Sequence, residues 1–461
     1  MSASTAFSPL QIIEISEEEE IEETKENPGR NDHHAYLSFA NATITVIKCA
    51  LGAGSFTLPY AYHNSGLVFS CVGTLFIGLI SAYTLYMLAK CEEKILETYK
   101  HKLKKETFIS YPDMGAYAFP SLNFKINSVN FNIFSIFILI GIIFTSIGVS
   151  SIYMIFISSV ISDLLFNRFQ ILISDKVVLM ISFPLILFLI FLSDYKILAK
   201  LSLVGNMSVL SGCFAVLIYG FITPNINSSK ISTFTENTFV NIPTFFANTS
   251  FLFAIHVVML PILQKMKTKS QIKKVITVSY SIISLFNFIF AAMASYLYAK
   301  SVCNYNNHEI SGPCENILNN IPNGNLLLSI KVFICIDLLF TIPLVFSAAK
   351  ELLESSILSY ILINYGNSLS KFYASSTIYL ARIFLSLIPF FLAIIVPNLS
   401  QMVNLVGGVV CSLAGYIIPP ILYLKFFWGE LSISQKILCC IVCLFGNILL
   451  FFILSNYIYS A

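Results

Sequence analysis

The sequence predicts an all-α, polytopic membrane protein whose helices are interrupted at a few chosen places, and three observations carry that prediction. Of the 461 residues, 56% are hydrophobic and 11% charged, against about 25% charged in soluble domains. Apolar windows near twenty residues, the length needed for a ~30 Å hydrocarbon core, recur about eleven times. Two of these windows are interrupted by proline and ionisable residues, and the first of them by glycines as well. Non-helical backbone at membrane depth survives only where protein buries it or where it lines a cavity, so these breaks mark a candidate site.

Residues 1–37 come first and contain the run Glu14-Ile15-Ser16-Glu17-Glu18-Glu19-Glu20. Such a segment is polar and strongly charged and is expected to form a disordered, acidic cytoplasmic tail. It has no basic n-region or apolar h-region, so no cleavable signal peptide is expected and the first span serves as its own insertion signal. The membrane domain is expected over 38–457. Its windows lie near 38–60, 66–89, 130–160, 174–193, 197–222, 241–263, 275–299, 326–349, 376–397, 401–425 and 434–457. The third is long enough to tilt or to leave the bilayer.

Basic residues set the orientation. With a cytoplasmic N-terminus, the inner loops hold most of the lysines, including Lys100 to Lys105 and Lys265 to Lys274, whereas the outer loops hold Arg168, Lys176, Lys230 and Lys300. This is a positive-inside asymmetry. Two outer-loop features agree with it. Asn227-Ser228-Ser229 is a glycosylation acceptor pattern, short enough to arise by chance. Cys303 and Cys314 bracket a polar loop facing an oxidising compartment and are expected to form a disulfide. The other cysteines mostly lie in apolar windows and read as small hydrophobes.

The first window contains Lys48, Gly52-Ala53-Gly54 and Pro59. Unwinding here would free N–H groups on one side and carbonyls on the other. The N-terminus of the second half-helix would attract an anion such as a carboxylate, and the carbonyls of the first half a cation. The plainer alternative is that the small residues only let helices pack closely. The sixth window holds Asn248-Thr249-Ser250, His256 and Pro261, again a broken-helix composition. Windows one and six are where a five-plus-five inverted repeat places its discontinuous helices. The repeats would cover about 38–222 and 241–425, with an extra helix at 434–457.

The eighth window carries Lys331, Asp337, Thr341 and Pro343. Asp337 and Thr341 are four apart and share a helical face. Asp337 lies roughly 16 Å below the outer end at 1.5 Å per residue, and Lys48 is also near mid-membrane. A buried charge there needs a partner or a solvated cavity. Lys48 is expected to approach the Asp337/Thr341 face. The alternative pairs Asp337 with Lys331 or a water and lets Lys48 snorkel to the inner interface.

No HExxH, Walker loop, nucleophile elbow or paired CxxC occurs. No cofactor, metal site or catalytic residue is expected. An embedded acyltransferase could use His256, but no acid or nucleophile motif accompanies it. There is no basic-aromatic module for nucleic acid.

Four blocks in order resemble the amino acid/auxin permease family. Gly52-Ala53-Gly54-Ser55-Phe56-Thr57-Leu58-Pro59-Tyr60-Ala61 with Asn64-Ser65-Gly66 is similar to its first-helix signature. Tyr111-Pro112-Asp113-Met114-Gly115 resembles its inner-loop block. Phe253-Ala254-Ile255-His256 through Leu260-Pro261 resembles its sixth-helix block, and Val403 to Gly408 through Ile418-Pro419-Pro420-Ile421-Leu422-Tyr423 its tenth-helix block. The resemblance implies the five-plus-five fold of the amino acid–polyamine–organocation superfamily, alternating access, and an amino acid as substrate. It implies that the amides of Gly52, Ala53, Gly54 and Ser55 face the substrate carboxylate. Phe253, Ala254, Ile255 and His256 would then face its amino group and side chain.

In that fold the backbone around Lys48 and the hydroxyl of Thr341 border a sodium site. Sodium-coupled relatives often carry asparagine where this chain has Lys48, and proton-coupled relatives often carry lysine. An ammonium would occupy the sodium region, so Lys48, Asp337 and Thr341 are the expected ion-coupling residues. One departure is that the sixth window lacks a glycine at its break. The expectation is a sodium-independent amino acid transporter, proton-coupled or facilitative, in the plasma membrane or a vacuolar/lysosomal membrane. A sodium-coupled symporter is the alternative within transport, and an intramembrane acyltransferase or a non-transporting nutrient sensor the alternatives outside it.

Overall fold

The computed structural model describes residues 37–101, 109–126, 129–191, 195–223, 238–253, 255–305, 308–321, 324–365, 367–396 and 398–460. The acidic run at 14–20 and the acceptor Asn227 lie outside them. Helix dominates because a peptide group in hydrocarbon must find its hydrogen bond within its own segment. The first window is a bent pair, α1 (Phe39–Ala50) and α2 (Ala53–Ser65), meeting at 54°. Gly66, at φ 88°, turns the chain into α3 (Leu67–Thr98). That left-handed conformation is open to glycine at little cost.

A short α4 (Tyr111–Ala118) and a hairpin of β1 (Asn123–Ile126) and β2 (Val129–Asn132) lead into α5 (Ile133–Phe169). Next come α6 (Asp175–Phe191), α7 (Tyr195–Ile222), and a second interrupted pair, α8 (Thr238–Phe253) and α9 (His256–Gln264). Then follow α10 (Ile272–Leu297), a hairpin of β3 (Val302–Tyr305) and β4 (His308–Ser311), α11 (Asn325–Tyr365) and α12 (Asn367–Ile395). The tenth window begins as α13 (Leu399–Leu405), runs through π-helical turns at Val406–Cys411 and Leu413–Ile417, and ends as α14 (Ile418–Phe427). The final helix is α15 (Ile433–Ser460).

Among the described residues, seven helices are long and apolar enough to cross a membrane, or eight with α1–α2 counted as one span. Helices α6, α7 and α11 cover three further windows without belonging to that set. Several helices outrun their windows. α11 has 41 residues, about 61 Å at 1.5 Å per residue, although its apolar window ends near 349. Hydropathy marks where the bilayer is, whereas helix continues into water wherever packing supports it.

Packing divides the interior into two large apolar cores and a smaller one around Leu88, Tyr111 and Leu422. The first joins α5, α7, α11 and α12 around Phe156, Val209, Ile334 and Leu385. The second joins α1, α2, α3, α8 and α10 around Val46, Tyr62, Ile77, Phe245 and Ile283. Lipid is as apolar as leucine, so close fit rather than water exclusion holds such helices together. Gly407 is the tightest case: a Cβ there would lie 1.9 Å from the carbonyl oxygen of Ala247 on α8.

The start of the first interrupted span and the segment just after the second are tied by main-chain bonds, Leu37 N–H to Lys265 O at 2.8 Å and Lys267 N–H to Leu37 O at 3.1 Å. Tyr111 Oη donates to Ala414 O in the tenth window at 2.8 Å. Ser110 and Asp113 form a reciprocal capping box on α4. These bonds give the inner-loop block a structural role. Cys303 and Cys314 form the expected disulfide. Asn320 secures the same loop, accepting from Cys314 N–H at 2.7 Å and donating to Ser301 Oγ at 2.8 Å.

Candidate functional site

The two helix breaks meet at one cavity. At the first, Leu51 and Gly52 leave helical geometry, with Gly52 at φ −165°, ψ −155°. Leu51 N–H still bonds Ile47 O at 3.0 Å, and Ser55 N–H bonds Gly52 O at 3.1 Å. The amides of Ala53 and Gly54 therefore open α2, where no intrahelical acceptor exists. At the second, α8 ends at Phe253 and α9 begins at His256. The Phe253 carbonyl accepts from Ile255 N–H at 2.9 Å and from Tyr280 Oη of α10 at 3.0 Å. A neighbouring helix thus supplies a hydrogen bond at this break.

Between the breaks lies a cavity of about 80 Å³. Its wall takes Cys49, Ala50, Gly52, Ala53 and Gly54 from the first span and Phe251, Leu252, Ile255, Val257 and Val258 from the sixth. α5 contributes Thr145, Ser146, Val149 and Tyr153, while Val345 comes from α11 and Cys411 from the first π-helical turn. No lining residue is charged. The cavity sits on the seam of the two large cores, with Ala53 and Cys411 in one and Ala50 and Leu252 in the other. A π-turn at such a wall is a common accompaniment of function.

The expected substrate-binding residues divide. Gly52, Ala53, Gly54 and Ile255 line the cavity. Ser55 is buried off its wall. Phe253 stacks on Tyr280, ring centroids 6.3 Å apart. His256 Nε2 is 2.8 Å from Thr84 Oγ1 on α3, away from the cavity. Ala254 is outside the described residues.

The expected ion-coupling residues lie beside this site. Thr341 Oγ1 donates to Asp337 O at 2.8 Å and reaches Asp337 Oδ1 at 3.5 Å. Lys48 and Asp337 are within electrostatic reach of each other, and Tyr153 is within reach of Asp337 as well. The alternative partner for Asp337 is otherwise engaged: Lys331, 1% exposed, has its Nζ 2.7 Å from Asp163 Oδ2 on α5. Positions 331 and 337 are six apart, about 240° around a 3.6-residue helix, so they face different neighbours.

Tyr153, Thr145 and Tyr280 were not singled out from the sequence. A signal for two of them existed: Thr145, Val149 and Tyr153 are spaced by four, and this one face of α5 meets the cavity. The face formed by Asp337, Thr341 and Val345 on α11 is spaced in the same way. Nothing local marks Tyr280, whose role depends on a carbonyl in another helix.

A membrane-embedded helical bundle with a cavity between two interrupted spans has the form of a transporter, and comparison with known proteins gives the family. Residues 36–459 match the family model described as transmembrane amino acid transporter protein, and the chain belongs to that family. It is similar to the Drosophila melanogaster "Proton-coupled amino acid transporter-like protein pathetic", at 23% identity over 390 residues, 84% of this chain and 77% of that one. It is also similar to the Arabidopsis thaliana "Amino acid transporter AVT3B", at 23% identity over 434 residues, 91% and 92% of the two chains. Among solved structures, the Eremococcus coleocola manganese transporter in complex with an aromatic bis-isothiourea substituted compound aligns with a TM-score of 0.38 and 12% identity, covering 91% of this chain and 85% of that one.

Proposed function

We propose that this protein carries small, uncharged amino acids across a membrane by alternating access, with the substrate held in the cavity between the two helix breaks. The observation that carries this reading is that Gly52, Ala53, Gly54 and Ile255, drawn from both interrupted spans, wall one cavity. The amides opening α2 suit a carboxylate, which a helix N-terminus also favours electrostatically. At the end of α8 the Phe253 carbonyl is taken by Ile255 and Tyr280, and the carbonyls before it, which lack intrahelical donors, suit an ammonium group. The volume of about 80 Å³ is small beside the ~150 Å³ of an engineered cavity that holds benzene, and it matches glycine or alanine better than an aromatic amino acid. Val149, Val257, Val258 and Val345 leave the side-chain end apolar.

Transport in this reading is sodium-independent and proton-linked. Lys48 and Asp337 lie within electrostatic reach of each other, in the region the family resemblance gives to sodium. Proton binding at Asp337 would weaken its attraction to Lys48 and so connect protonation to the first span. The lysine distribution supports a cytoplasmic N-terminus, in a plasma or vacuolar/lysosomal membrane.

The test is uptake of labelled glycine and alanine into proteoliposomes, with sodium and pH gradients imposed separately. Uptake should persist when choline replaces sodium and rise with an inward proton gradient. Lys48→Ala should remove the response to the gradient. Collapse of uptake on sodium removal at fixed pH would overturn the coupling, and absence of flux for every labelled amino acid would overturn transport itself.

A further inference from the structure

At the inner end of the tenth window, away from the cavity, an open groove of about 450 Å³ is lined by Phe119, Ile421, Leu424, Lys425 and Trp428. Its size falls in the range of ligand sites, about 300–1,000 Å³. Its floor is apolar, from Ile421 and Leu424 on α14 and from Phe119 just after α4. Trp428 is 62% exposed at the rim and is the chain's one tryptophan. Tryptophan and lysine at the end of a span mark the depth where bilayer gives way to water.

Two cations stand over this rim. Lys425 Nζ lies 5.4 Å from the centre of the Phe119 ring, and Lys436 Nζ 4.5 Å from that of Trp428. The nearby carboxylate Glu430 is taken by Lys94, with Nζ and Oε1 2.6 Å apart. Among the described residues, no ion pair joins a carboxylate to Lys425 or Lys436. The arrangement is an apolar trough with two uncompensated positive charges at its mouth, at the level of the lipid headgroups.

We propose that this groove is a binding site for an anionic glycerophospholipid of the inner leaflet. One acyl chain would lie along Phe119, Ile421 and Leu424, and the phosphate and acidic headgroup would meet Lys425 and Lys436. The charge complementarity selects the occupant. A neutral phospholipid would fill the trough equally well but leave the net charge of two lysines unbalanced. Basic pockets on the cytoplasmic side of membrane proteins bind anionic headgroups by the same physics. The occupant would touch α14, which follows the two π-helical turns, the first of which gives Cys411 to the cavity wall.

The lone tryptophan makes the test direct. The full chain is reconstituted in phosphatidylcholine vesicles, and Trp428 emission is followed while acyl-brominated phosphatidylserine or acyl-brominated phosphatidylcholine is added. The serine lipid should quench at a several-fold lower mole fraction. Near-surface lysines each contribute about fivefold toward anionic lipid, so Lys425→Gln and Lys436→Gln should each cut the preference by about that factor. Quenching by brominated phosphatidylcholine should not change in either variant, which confirms that Trp428 keeps its interfacial position. Lys274→Gln, on the inner end of α10, should leave the preference intact. Inorganic phosphate in the buffer should not compete, as it would if the lysines bound free phosphate. Equal quenching by the two lipids would overturn the proposal and make Trp428 an interfacial anchor. An equal loss in Lys274→Gln would overturn it in favour of general surface charge.

Discussion

In the first span the chain leaves helix at Leu51 and Gly52 and re-enters at Ala53, while in the sixth it leaves after Phe253 and re-enters at His256 with no glycine in between. Gly52 is in an extended conformation, φ −165°, which needs no special residue, and a Cβ there would meet Tyr153 Oη at an ordinary 3.8 Å. Its lack of a side chain keeps the cavity open. The sixth-span break is held from outside, by Tyr280 Oη on the Phe253 carbonyl and by the close approach of Gly407 to Ala247. One break is thus written in its own span. The other depends on two neighbouring helices, and it should fail when those neighbours change.

The largest effect follows from Gly407→Ala. The new methyl would lie 1.9 Å from Ala247 O, a backbone atom that cannot swing aside. Overpacking of this kind costs about 3 kcal/mol or more, so the variant should express poorly and elute as aggregate in size-exclusion chromatography. Normal yield and normal melting would mean that the sixth span does not rest on the tenth as described. Tyr280→Phe is the milder test of the same dependence. It removes one of two donors from Phe253 O, Ile255 N–H remaining, and should cost about 0.5–1.5 kcal/mol, read as a lower melting temperature in detergent together with reduced amino acid uptake. Tyr62→Phe is its control. That hydroxyl bonds Thr74 at 2.6 Å, far from either break, so its loss should lower melting without a comparable loss of uptake.

Gly52→Ala probes the other side of the comparison. Nothing in the backbone or the contacts opposes the methyl, so melting should stay close to wild type. The methyl enters a cavity of about 80 Å³, and uptake should narrow toward glycine, with alanine lost first. Competition assays with the two unlabelled amino acids would show this. An unchanged ratio would mean that Gly52 does not face the substrate.

The same contrast explains how much could be read from the sequence. Gly52 and Gly54 announce their break by composition, as Cys303 and Cys314 announce their disulfide by standing in a polar loop. The sixth-span break was visible as a cluster of polar residues, but Tyr280 and Gly407 act through contacts that no local pattern encodes. The ion pair of Lys331 with Asp163 spans 168 positions, and a helical wheel of α11 shows only that Lys331 and Asp337 do not share a face. The inner-loop block was legible as a family signature. Its physics, Tyr111 tied to Ala414 and Asp113 capping α4, appears only once the tenth window is packed against it.

The smallest expected effect concerns the meeting of α2 with the start of the tenth span, where Glu315 follows the disulfide-bonded Cys314. Its Oε2 accepts from Ser400 N–H at 3.2 Å, and it lies within electrostatic reach of Tyr60 on α2. Burial pushes its carboxyl above the usual range, and the Ser400 N–H pulls it partly back. A raised folded-state value means that the folded protein holds this proton more tightly than the unfolded chain does. The contribution to stability is therefore full below the ordinary glutamate value of about 4.3 and is lost as pH rises through the folded value. Glu315→Gln keeps an oxygen for the Ser400 N–H but carries no charge. It should melt above wild type at neutral pH, and the gap should close as pH falls toward the mildly acidic range. Asp113, also raised by burial, titrates in both proteins and cancels in the difference. A gap that stays constant with pH would show that Glu315 is not the titrating group holding this contact.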